Sequence, residues 1–238
     1  MKRWAFLALV WASPAAAVTC EDITSQDNRY TVCTVDVPSE DLRLFLRNED
    51  GNILGNFVNV NDTLGDRALA FAMNAGMFHE DRAPVGYYVQ DGVEMMRVIP
   101  NAGPGNFGLL PNGVFCLNDE TAQVYETLQF VREAPVCRDA TQSGPMLVID
   151  GALHPKFLKD STSRNIRNGV GTSADGRTAV FVIANTPVTF YEFGVFFRDV
   201  LETPNALYFD GRVSRLYAPE LGRSDFGFRL GPIVGVVQ

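Results

Sequence analysis

The chain has 238 residues, 46% of them hydrophobic, with a formal net charge of −8 and two histidines. This length and apolar fraction allow one substantial hydrophobic core. The acidic charge disfavours nucleic acid as a partner. Two histidines cannot form a His-rich metal site, so we expect no metal, and we also expect no cofactor.

Residues 1–17 have the pattern of a secretory signal. Lys2 and Arg3 precede the apolar run WAFLALVWA, and Pro14 and three alanines follow it, as in a leader with a cleavage site. The apolar run is too short to span a bilayer. We therefore expect cleavage after Ala17 and an exported protein, periplasmic or secreted, without an integral membrane segment after signal removal.

The four cysteines predict disulfides, because an exported protein folds in an oxidising compartment. Three pairings are possible, and none of the spacings fits a CxxC motif. We favour the local pairing, Cys20 with Cys33 and Cys116 with Cys137, because each bond would close a short loop.

Short apolar or alternating runs rich in Val, Ile, Phe and Tyr dominate the rest of the chain. Asp-Gly or Asn-Gly steps separate many of them, as in β-hairpins, and begin at residues 50, 91, 112, 150, 168, 175 and 210. The pattern predicts strands at 31–37, 42–47, 53–59, 68–74, 85–90, 93–99, 113–117, 145–149, 178–185, 206–210 and 231–237.

One helix is predicted at 190–202, where Thr189 and Glu192 form a capping box before an apolar face at helical spacing. Weaker helical signals lie near 127–134 and 155–160. We find no repeat, linker or composition shift. The sequence therefore predicts a single α+β domain over residues 18–238, with a largely antiparallel or mixed β-sheet core and a few helices.

Four segments carry more polar residues than a fold requires. The first, 71–92, contains Asn74, Gly76, His79 and Glu80. The second, 140–157, places Ser143, Gly144 and Pro145 before a strand and His154 after it. The third, 160–171, combines Arg164 and Arg167 with hydroxyl groups and glycines, which resembles an anion site. The fourth, 206–217, has Asp210 at a strand end, followed by Arg212, Ser214 and Arg215.

Each of these residues also has a structural interpretation. Asp210 could begin a turn, the arginines could be solvated loop residues, and the histidines could be structural. Ser143 could be a turn residue, and TQSGP lacks the G-x-S-x-G elbow of a serine hydrolase. The residue pattern alone therefore indicates a site without naming its chemistry.

Taken in order, the segments resemble the motifs of the phosphodiester glycosidase family, especially its small exported bacterial members. The matching stretches are Asn74-Ala75-Gly76-Met77-Phe78, Pro84-Val85-Gly86, Ser143-Gly144-Pro145-Met146-Leu147, Arg167 through Gly171, and Asp210-Gly211-Arg212-Val213-Ser214. In the last stretch Arg212 and Val213 replace family glycines, so two added side chains would narrow or recharge that part of the site.

The resemblance implies hydrolysis of a sugar-1-phosphodiester. Because the leaving group departs as a stable anion, neutralising its charge matters more than protonating it. Arg167, helped by Arg164, would hold the phosphate, and Asp210 would activate water or attack the anomeric carbon.

Other residues would take supporting roles. Glu80 and His79 are candidates for a second proton-transfer group, and His154 is a weaker one. Asn74, Gly76, Ser143 and Gly144 would orient sugar or phosphate oxygens.

Two alternatives stay open. The chain could be a non-catalytic exported module that binds an anionic glycan or cell-envelope polymer through the same arginines. It could also be an ordinary glycoside hydrolase that uses Glu80 and Asp210 on substrates without phosphate.

Overall fold

The computed structural model describes residues 18–238, so the predicted signal at 1–17 lies outside the described residues. The strands are β1 (Thr19–Ser25), β2 (Asn28–Asp36), β3 (Asp41–Phe45), β4 (Leu69–Asn74), β5 (Tyr88–Gln90), β6 (Val93–Met96), β7 (Gly113–Leu117), β8 (Ala122–Glu126), β9 (Asp139–Ser143), β10 (Met146–Ile149), β11 (Ala152–Leu153), β12 (Asn168–Thr172), β13 (Thr178–Ala184), β14 (Asn205–Tyr208), β15 (Leu216–Ala218), β16 (Arg223–Ser224) and β17 (Ile233–Val237).

The helices are short. They are α1 (Phe57–Thr63), α2 (Thr127–Glu133) and α3 (Phe190–Val195), and α3 continues as a π-helical turn over Phe196–Val200. Two 3₁₀ turns span Gly211–Val213 and Pro219–Leu221. No helix in the part of the chain from residue 18 onward is long and apolar enough to cross a membrane.

The strands form three sheets, and adjacent strands pair antiparallel. The first has the order β1-β2-β13-β12-β14-β10-β11, the second β16-β15-β4-β17-β3, and the third β6-β5-β9-β7-β8. The predicted α+β class with a largely antiparallel core is confirmed.

One hydrophobic core joins all three sheets. Phe181 of β13, Phe71 of β4 and Phe115 of β7 are fully buried in it, and the Phe181 ring lies 5.0 Å from that of Phe71 and 5.8 Å from that of Phe115. The opposite face of the first sheet is covered by α3, whose Phe193 packs with Val182 of β13. Because neighbouring strand residues point to opposite faces, β13 is buried on both sides.

The predicted helix at 190–202 is confirmed, and its cap is the one expected. Thr189 accepts from the Glu192 N–H at 3.1 Å, and the Glu192 carboxylate accepts from the Thr189 N–H at 2.8 Å. The helical signal near 127–134 is also confirmed by α2.

Two predicted elements are wrong. The strand predicted at 53–59 is replaced by the start of α1, because the Asn56 side chain caps the Asn59 N–H and Phe57 and Val60 are buried at helical spacing. The helical signal at 155–160 is replaced by two successive turns, closed by hydrogen bonds from Phe157 N–H to His154 O and from Ser161 N–H to Leu158 O.

The two Asn-Gly steps at 112 and 168 are strand starts, not hairpin turns. A Cβ on Gly169 would lie 2.5 Å from the Leu207 carbonyl oxygen, and one on Gly113 would lie 2.8 Å from that of Tyr125. Glycine is required there by close approach of the neighbouring strand, and not by turn geometry.

Both predicted disulfides are present. Cys20–Cys33 links the paired strands β1 and β2, and Cys116–Cys137 ties β7 to the segment before β9.

Candidate functional site

Segments far apart in sequence meet at one end of the sheets. β4 ends at Asn74, and β14 ends at Tyr208. Tyr208 pairs with Gly169, the second residue of β12. The Asp210 N–H donates to the Ala75 carbonyl at 3.3 Å, which joins the segment after β14 to the segment after β4. The predicted motifs around Asn74, Arg167 and Asp210 therefore share one location.

Arg167 is a buried cation at this location, with 2% of its surface exposed. Its Nε donates to Val188 O at 2.9 Å and its Nη2 to Ser163 O at 3.1 Å. The guanidinium carbon lies 3.6 Å from the ring centre of Phe190, a cation–π contact. Within residues 18–238, no carboxylate forms an ion pair with it.

Burial lowers the pKa of Arg167 from its ordinary value, but a guanidinium remains charged at physiological pH. The site therefore contains a desolvated positive charge without an ion-pair partner among the described residues, an arrangement that is costly unless an anion completes it.

The Arg167 side chain lines a cavity of about 140 Å³, which we call the anion cavity. Tyr208 contributes its phenol group, whose oxygen accepts from the Gly211 N–H at 3.0 Å. Burial raises the pKa of Tyr208, so the phenol keeps its proton and can donate to a ligand. No carboxylate is among the residues that line this cavity, which are Asn106, Ser163, Asn165, Arg167, Phe190, Tyr208, Gly211 and Arg212.

Asp210 directly precedes the lining residue Gly211. Its carboxylate caps the 3₁₀ turn by accepting from the Arg212 N–H at 3.2 Å. Burial raises the pKa of the Asp210 carboxyl, and the Arg212 N–H and the Arg212 charge offset part of that rise. A carboxylate that is partly desolvated and next to an anion site suits a base or nucleophile.

Asn74 holds the backbone of the Asp210 segment through hydrogen bonds of its side-chain amide. It is fully buried, its Nδ2 donates to Asp210 O at 2.9 Å, and its Oδ1 accepts from the Arg215 N–H at 2.9 Å. Asn168, equally buried, donates from Nδ2 to Asn74 O at 2.9 Å and to Asn74 Oδ1 at 3.0 Å. The two amides fix the backbone around Asp210.

The Ser143 segment packs closely against the base of the hairpin that follows β4. Ser143 is fully buried, and its hydroxyl has no hydrogen-bond partner among the described residues. A Cβ on Gly76 would lie 2.2 Å from Thr141 Oγ1, and one on Gly144 would lie 2.7 Å from Asn112 Cβ. Both glycines thus allow close packing around Ser143.

His154 lies at the far end of a stack of rings. Its ring centre is 4.7 Å from that of Phe157, which is 5.2 Å from that of Phe190, the ring under Arg167. His154 is buried, its Nδ1 accepts from the Lys156 N–H at 3.2 Å, and burial lowers its pKa. Two other rings thus separate it from the Arg167 guanidinium.

Three other candidates lie outside the anion cavity. His79 and Glu80 are exposed in a hairpin turn, where the His79 N–H donates to Ala83 O at 2.8 Å. Arg164 is exposed and forms an ion pair with Glu192 at 2.9 Å. The structure therefore places Arg167 in the anion cavity and Asp210 next to the lining residue Gly211, with Asn74 hydrogen-bonded to the Asp210 backbone. It does not place His79, Glu80 or Arg164 among the cavity residues.

The sequence reasoning missed four residues of the site. Tyr208 lies in a predicted strand, Phe190 in the predicted helix and Asn168 in a predicted turn, and no sequence motif marked any of them as a site residue. Arg212 was visible only as a departure from a glycine-rich motif.

Taken together, the geometry defines an α+β protein in which a small cavity, lined by a buried arginine without an ion-pair partner among residues 18–238, lies beside a carboxylate. The chain matches the sequence profile of the phosphodiester glycosidase family over residues 67–224. It is 31% identical over 215 residues to the protein YigE of Escherichia coli (strain K12), covering 89% of this chain and 84% of that protein. The chain therefore belongs to the phosphodiester glycosidase family.

Solved structures share the fold. The zebrafish N-acetylglucosamine-1-phosphodiester alpha-N-acetylglucosaminidase catalytic domain, auto-inhibited by its pro-peptide, has a TM-score of 0.63 at 12% identity, covering 94% of this chain and 85% of that one. A hypothetical protein from Synechocystis has a TM-score of 0.61 at 13% identity, covering 92% of this chain and 61% of that one. A putative exported protein from Burkholderia pseudomallei K96243 has a TM-score of 0.57 at 12% identity, covering 88% of this chain and 74% of that one.

Proposed function

We propose that this protein is an exported hydrolase that cleaves sugar-1-phosphodiesters between the anomeric carbon and the phosphate oxygen. The observation that carries the proposal is Arg167, a buried cation without a carboxylate partner in the described chain, facing a small cavity beside Asp210. Membership of the phosphodiester glycosidase family supports this substrate class.

The phosphate is held by the N–H groups of Arg167 that the protein leaves free and by the Tyr208 hydroxyl. Charge-assisted hydrogen bonds of this kind are stronger than neutral ones, particularly away from water. They stabilise the negative charge that grows on the departing phosphate in the transition state. Phe190 keeps the guanidinium plane in place by stacking against it.

Asp210 acts at the anomeric carbon. As a base it accepts a proton from water while the water oxygen bonds to the carbon and the carbon–oxygen bond to phosphate breaks. As a nucleophile it forms a glycosyl ester that water then hydrolyses. Either route consumes one water and yields the free sugar and a phosphomonoester. Asn74 contributes by fixing the backbone of Asp210.

Glu80 and His79 are proposed as the second proton-transfer group, since the hairpin that carries them begins at Ala75, which accepts from the Asp210 N–H. Ser143 and the Gly144 N–H are proposed to orient substrate oxygens, because the buried Ser143 hydroxyl has hydrogen-bonding capacity left.

Export is part of the proposal. It is supported by the leader pattern at 1–17, by two disulfides and by the similarity to a putative exported protein.

The test is hydrolysis of a panel of sugar-1-phosphodiesters in oxygen-18 water. We expect the label in the released sugar and loss of activity in Asp210→Asn. Asp150→Asn is the matched control, because Asp150 is also followed by glycine and is exposed in a turn after β10. Label in the phosphate would contradict glycosidic cleavage. Full activity in Asp210→Asn would contradict the role of Asp210.

A panel without any hydrolysis, combined with anion binding that depends on Arg167, would favour the non-catalytic module. Hydrolysis of aryl glycosides without phosphate would favour the ordinary glycoside hydrolase.

A further inference from the structure

The long connection between β6 and β7 contributes one residue to the anion cavity. It comprises the 16 residues 97–112 and contains turns but no helix or strand. Connections longer than about 12–15 residues without secondary structure are uncommon in compact domains, and active-site lids are among the functions they serve. Asn106 of this connection lines the cavity together with Arg167, although the mechanism above gives the connection no role.

Both ends of the connection are fixed to the rest of the protein. At the first end, the Gln142 side chain accepts from the Ile99 N–H at 2.9 Å and donates to Ile99 O at 2.8 Å. At the second end, Phe107 is buried, and its carbonyl oxygen accepts from Asn112 Nδ2 at 2.9 Å. Residues 100–106 therefore form a span between two fixed points.

This span, which we call the lid, is held only by its own connection. Residues 101–106 are exposed. The hydrogen bonds of the lid go to Gly108 and Leu109, at 3.2–3.5 Å, and none joins it to any other part of residues 18–238. A segment with an exposed backbone and few contacts opens at low free-energy cost. The lid can therefore change position while its two ends stay fixed.

Asn106 is the last residue of the lid, next to the fixed residue Phe107. A Cβ on Gly144 would lie 3.0 Å from Phe107 O and 3.3 Å from Asn106 O, so this glycine allows the end of the lid to pack against the Ser143 segment. The Asn106 side-chain amide has no hydrogen-bond partner among residues 18–238. Its two N–H donors are therefore free at the cavity.

The size of the cavity relates these donors to the group that Arg167 holds. At about 140 Å³ the cavity is smaller than the roughly 300–1,000 Å³ of pockets that enclose a whole small-molecule ligand, so a phosphate in it is close to each lining side chain. The oxygens of a phosphodiester accept hydrogen bonds and do not donate them. Arg167 uses its Nε and one Nη2 contact on carbonyl oxygens of the protein, so a further donor benefits the phosphate.

We propose that Asn106 is a phosphate-binding residue, and that its hydrogen bond to the phosphate held by Arg167 closes the lid over the cavity. The Asn106 Nδ2 group donates to a phosphate oxygen, and the closed lid excludes water, which strengthens the hydrogen bonds of Arg167. This inference rests on the proposed function, because that function assigns the phosphate to Arg167.

Calorimetric titration with inorganic phosphate tests the inference without catalysis. We expect Asn106→Ala to lose about tenfold in affinity, as for one hydrogen bond to a charged group. Asn106→Asp should lose about 100-fold, because a carboxylate has the same shape but cannot donate and repels the anion. Asn101→Asp is the matched control, since it adds the same charge to an exposed lid position that does not line the cavity; its affinity should change less than about threefold.

Equal phosphate affinity of Asn106→Ala and wild type would overturn the assignment of Asn106. Equal weakening by Asn106→Asp and Asn101→Asp would also overturn it, since the effect would then come from the general field. A wild type that binds no phosphate would overturn it as well, because the cavity would then not hold the anion.

Hydrogen–deuterium exchange measured by mass spectrometry reports on the lid itself. The backbone amides of residues 101–106 should exchange rapidly in free wild type and about tenfold more slowly with saturating phosphate. This protection should be absent in Asn106→Ala at a phosphate concentration that saturates the variant. Slow exchange in the free protein, or equal protection in the variant, would overturn the closing of the lid.

A kinetic comparison separates this inference from the proposed function. The kcat/KM for a sugar-1-phosphodiester should fall about tenfold in Asn106→Ala. Phosphate binding that depends on Asn106, in a protein that hydrolyses no phosphodiester, would refute the proposed function and keep the assignment of Asn106. Hydrolysis of the phosphodiester without any effect of Asn106→Ala would refute the inference alone.

Discussion

At the scale of single residues, the site combines a buried cation, Arg167, and a half-buried carboxylate, Asp210, that do not form an ion pair with each other. The Arg167 guanidinium is stabilised by the face of Phe190 and by two carbonyl oxygens, which offset only part of its desolvation. The fork geometry of arginine allows these contacts and leaves further N–H groups for a phosphate.

Replacing Arg167 by lysine should therefore impair function although the charge is kept. A lysine ammonium cannot stack on Phe190 and bridge Val188 O and Ser163 O together. We expect Arg167→Lys to lower kcat/KM by about 100-fold, comparable to the loss of one donor to a developing charge. The measurement is steady-state kinetics on the substrate found by the panel, with Arg132→Lys as the control. Activity within twofold of wild type would rule out a specific role for the guanidinium.

The raised pKa of Asp210 gives a pH dependence with a definite sign. As base or nucleophile, Asp210 must be ionised, so kcat/KM should fall as the pH drops through a value above the ordinary pKa of 3.8 for aspartate. Arg212→Gly should move this acid limb to still higher pH, because the Arg212 charge lowers the Asp210 pKa. The measurement is a kcat/KM profile of both proteins; an acid limb at or below the ordinary value would contradict the assignment.

The same shift affects stability. Folding raises the pKa of the Asp210 carboxyl. The protonated carboxyl therefore contributes to the stability of the folded protein below the unfolded-state pKa, and this contribution is lost as the pH rises through the folded-state pKa. Asp210→Asn should therefore gain stability relative to wild type between acidic and neutral pH. The measurement is the free energy of unfolding in urea of both proteins at pH 4 and pH 7. A variant that loses stability relative to wild type as the pH rises from 4 to 7 would show that folding stabilises Asp210 as an anion.

At the scale of elements, α3 connects the capping box to the site. Thr189 begins the helix, and the next residue, Phe190, supplies the ring that stacks on Arg167. The Phe157 ring lies nearly parallel behind it, with an interplanar angle of 9°. The start of the helix therefore helps to set the position of the guanidinium.

Removing the cap should reduce stability and also disturb the site. Thr189→Ala loses the hydrogen bond to the Glu192 N–H, which typically costs about 0.5–2 kcal/mol. We expect a lower urea midpoint together with a higher KM, because Phe190 is less well fixed. Thr189→Ser keeps the hydroxyl and is the control, and it should recover most of both properties. Equal losses in the two variants would indicate that packing of the threonine methyl matters more than the cap.

At the scale of the whole molecule, two disulfides reinforce a fold with mostly long-range strand pairing. Cys116–Cys137 closes a loop with a sequence separation of 21 residues, and it holds β7, which pairs with β9, the strand that ends at Ser143. Both cysteines are buried, so the bond is part of the core.

Loss of this bond should destabilise the protein by about 2–4 kcal/mol, as is typical for native disulfides. The comparison is urea unfolding of wild type and of the double variant Cys116→Ala/Cys137→Ala, each with and without reductant. Reduction should lower the midpoint of wild type strongly and that of the variant less, since only Cys20–Cys33 remains. An unchanged midpoint in the double variant would contradict the prediction.

Several features followed from the sequence because they depend on neighbouring residues. Helix α3 depends on a capping box within four residues, the disulfides close short loops, and the antiparallel character depends on alternating runs between turns. The grouping of Asn74, Arg167 and Asp210 was also expected, from the order of motifs.

Other features were decided only by tertiary contacts. In the sequence Gly169 resembles a turn glycine, but in the structure it is required by the close approach of β14. Phe57 likewise belongs to an apolar run that predicts a strand, but the Asn56 cap begins a helix there. Arg164 and Arg167 are alike in sequence, yet Glu192 neutralises the first and burial isolates the second. The fold class and the motifs could be predicted because they depend on local sequence pattern, whereas the charge and composition of the anion cavity depend on which distant side chains line it.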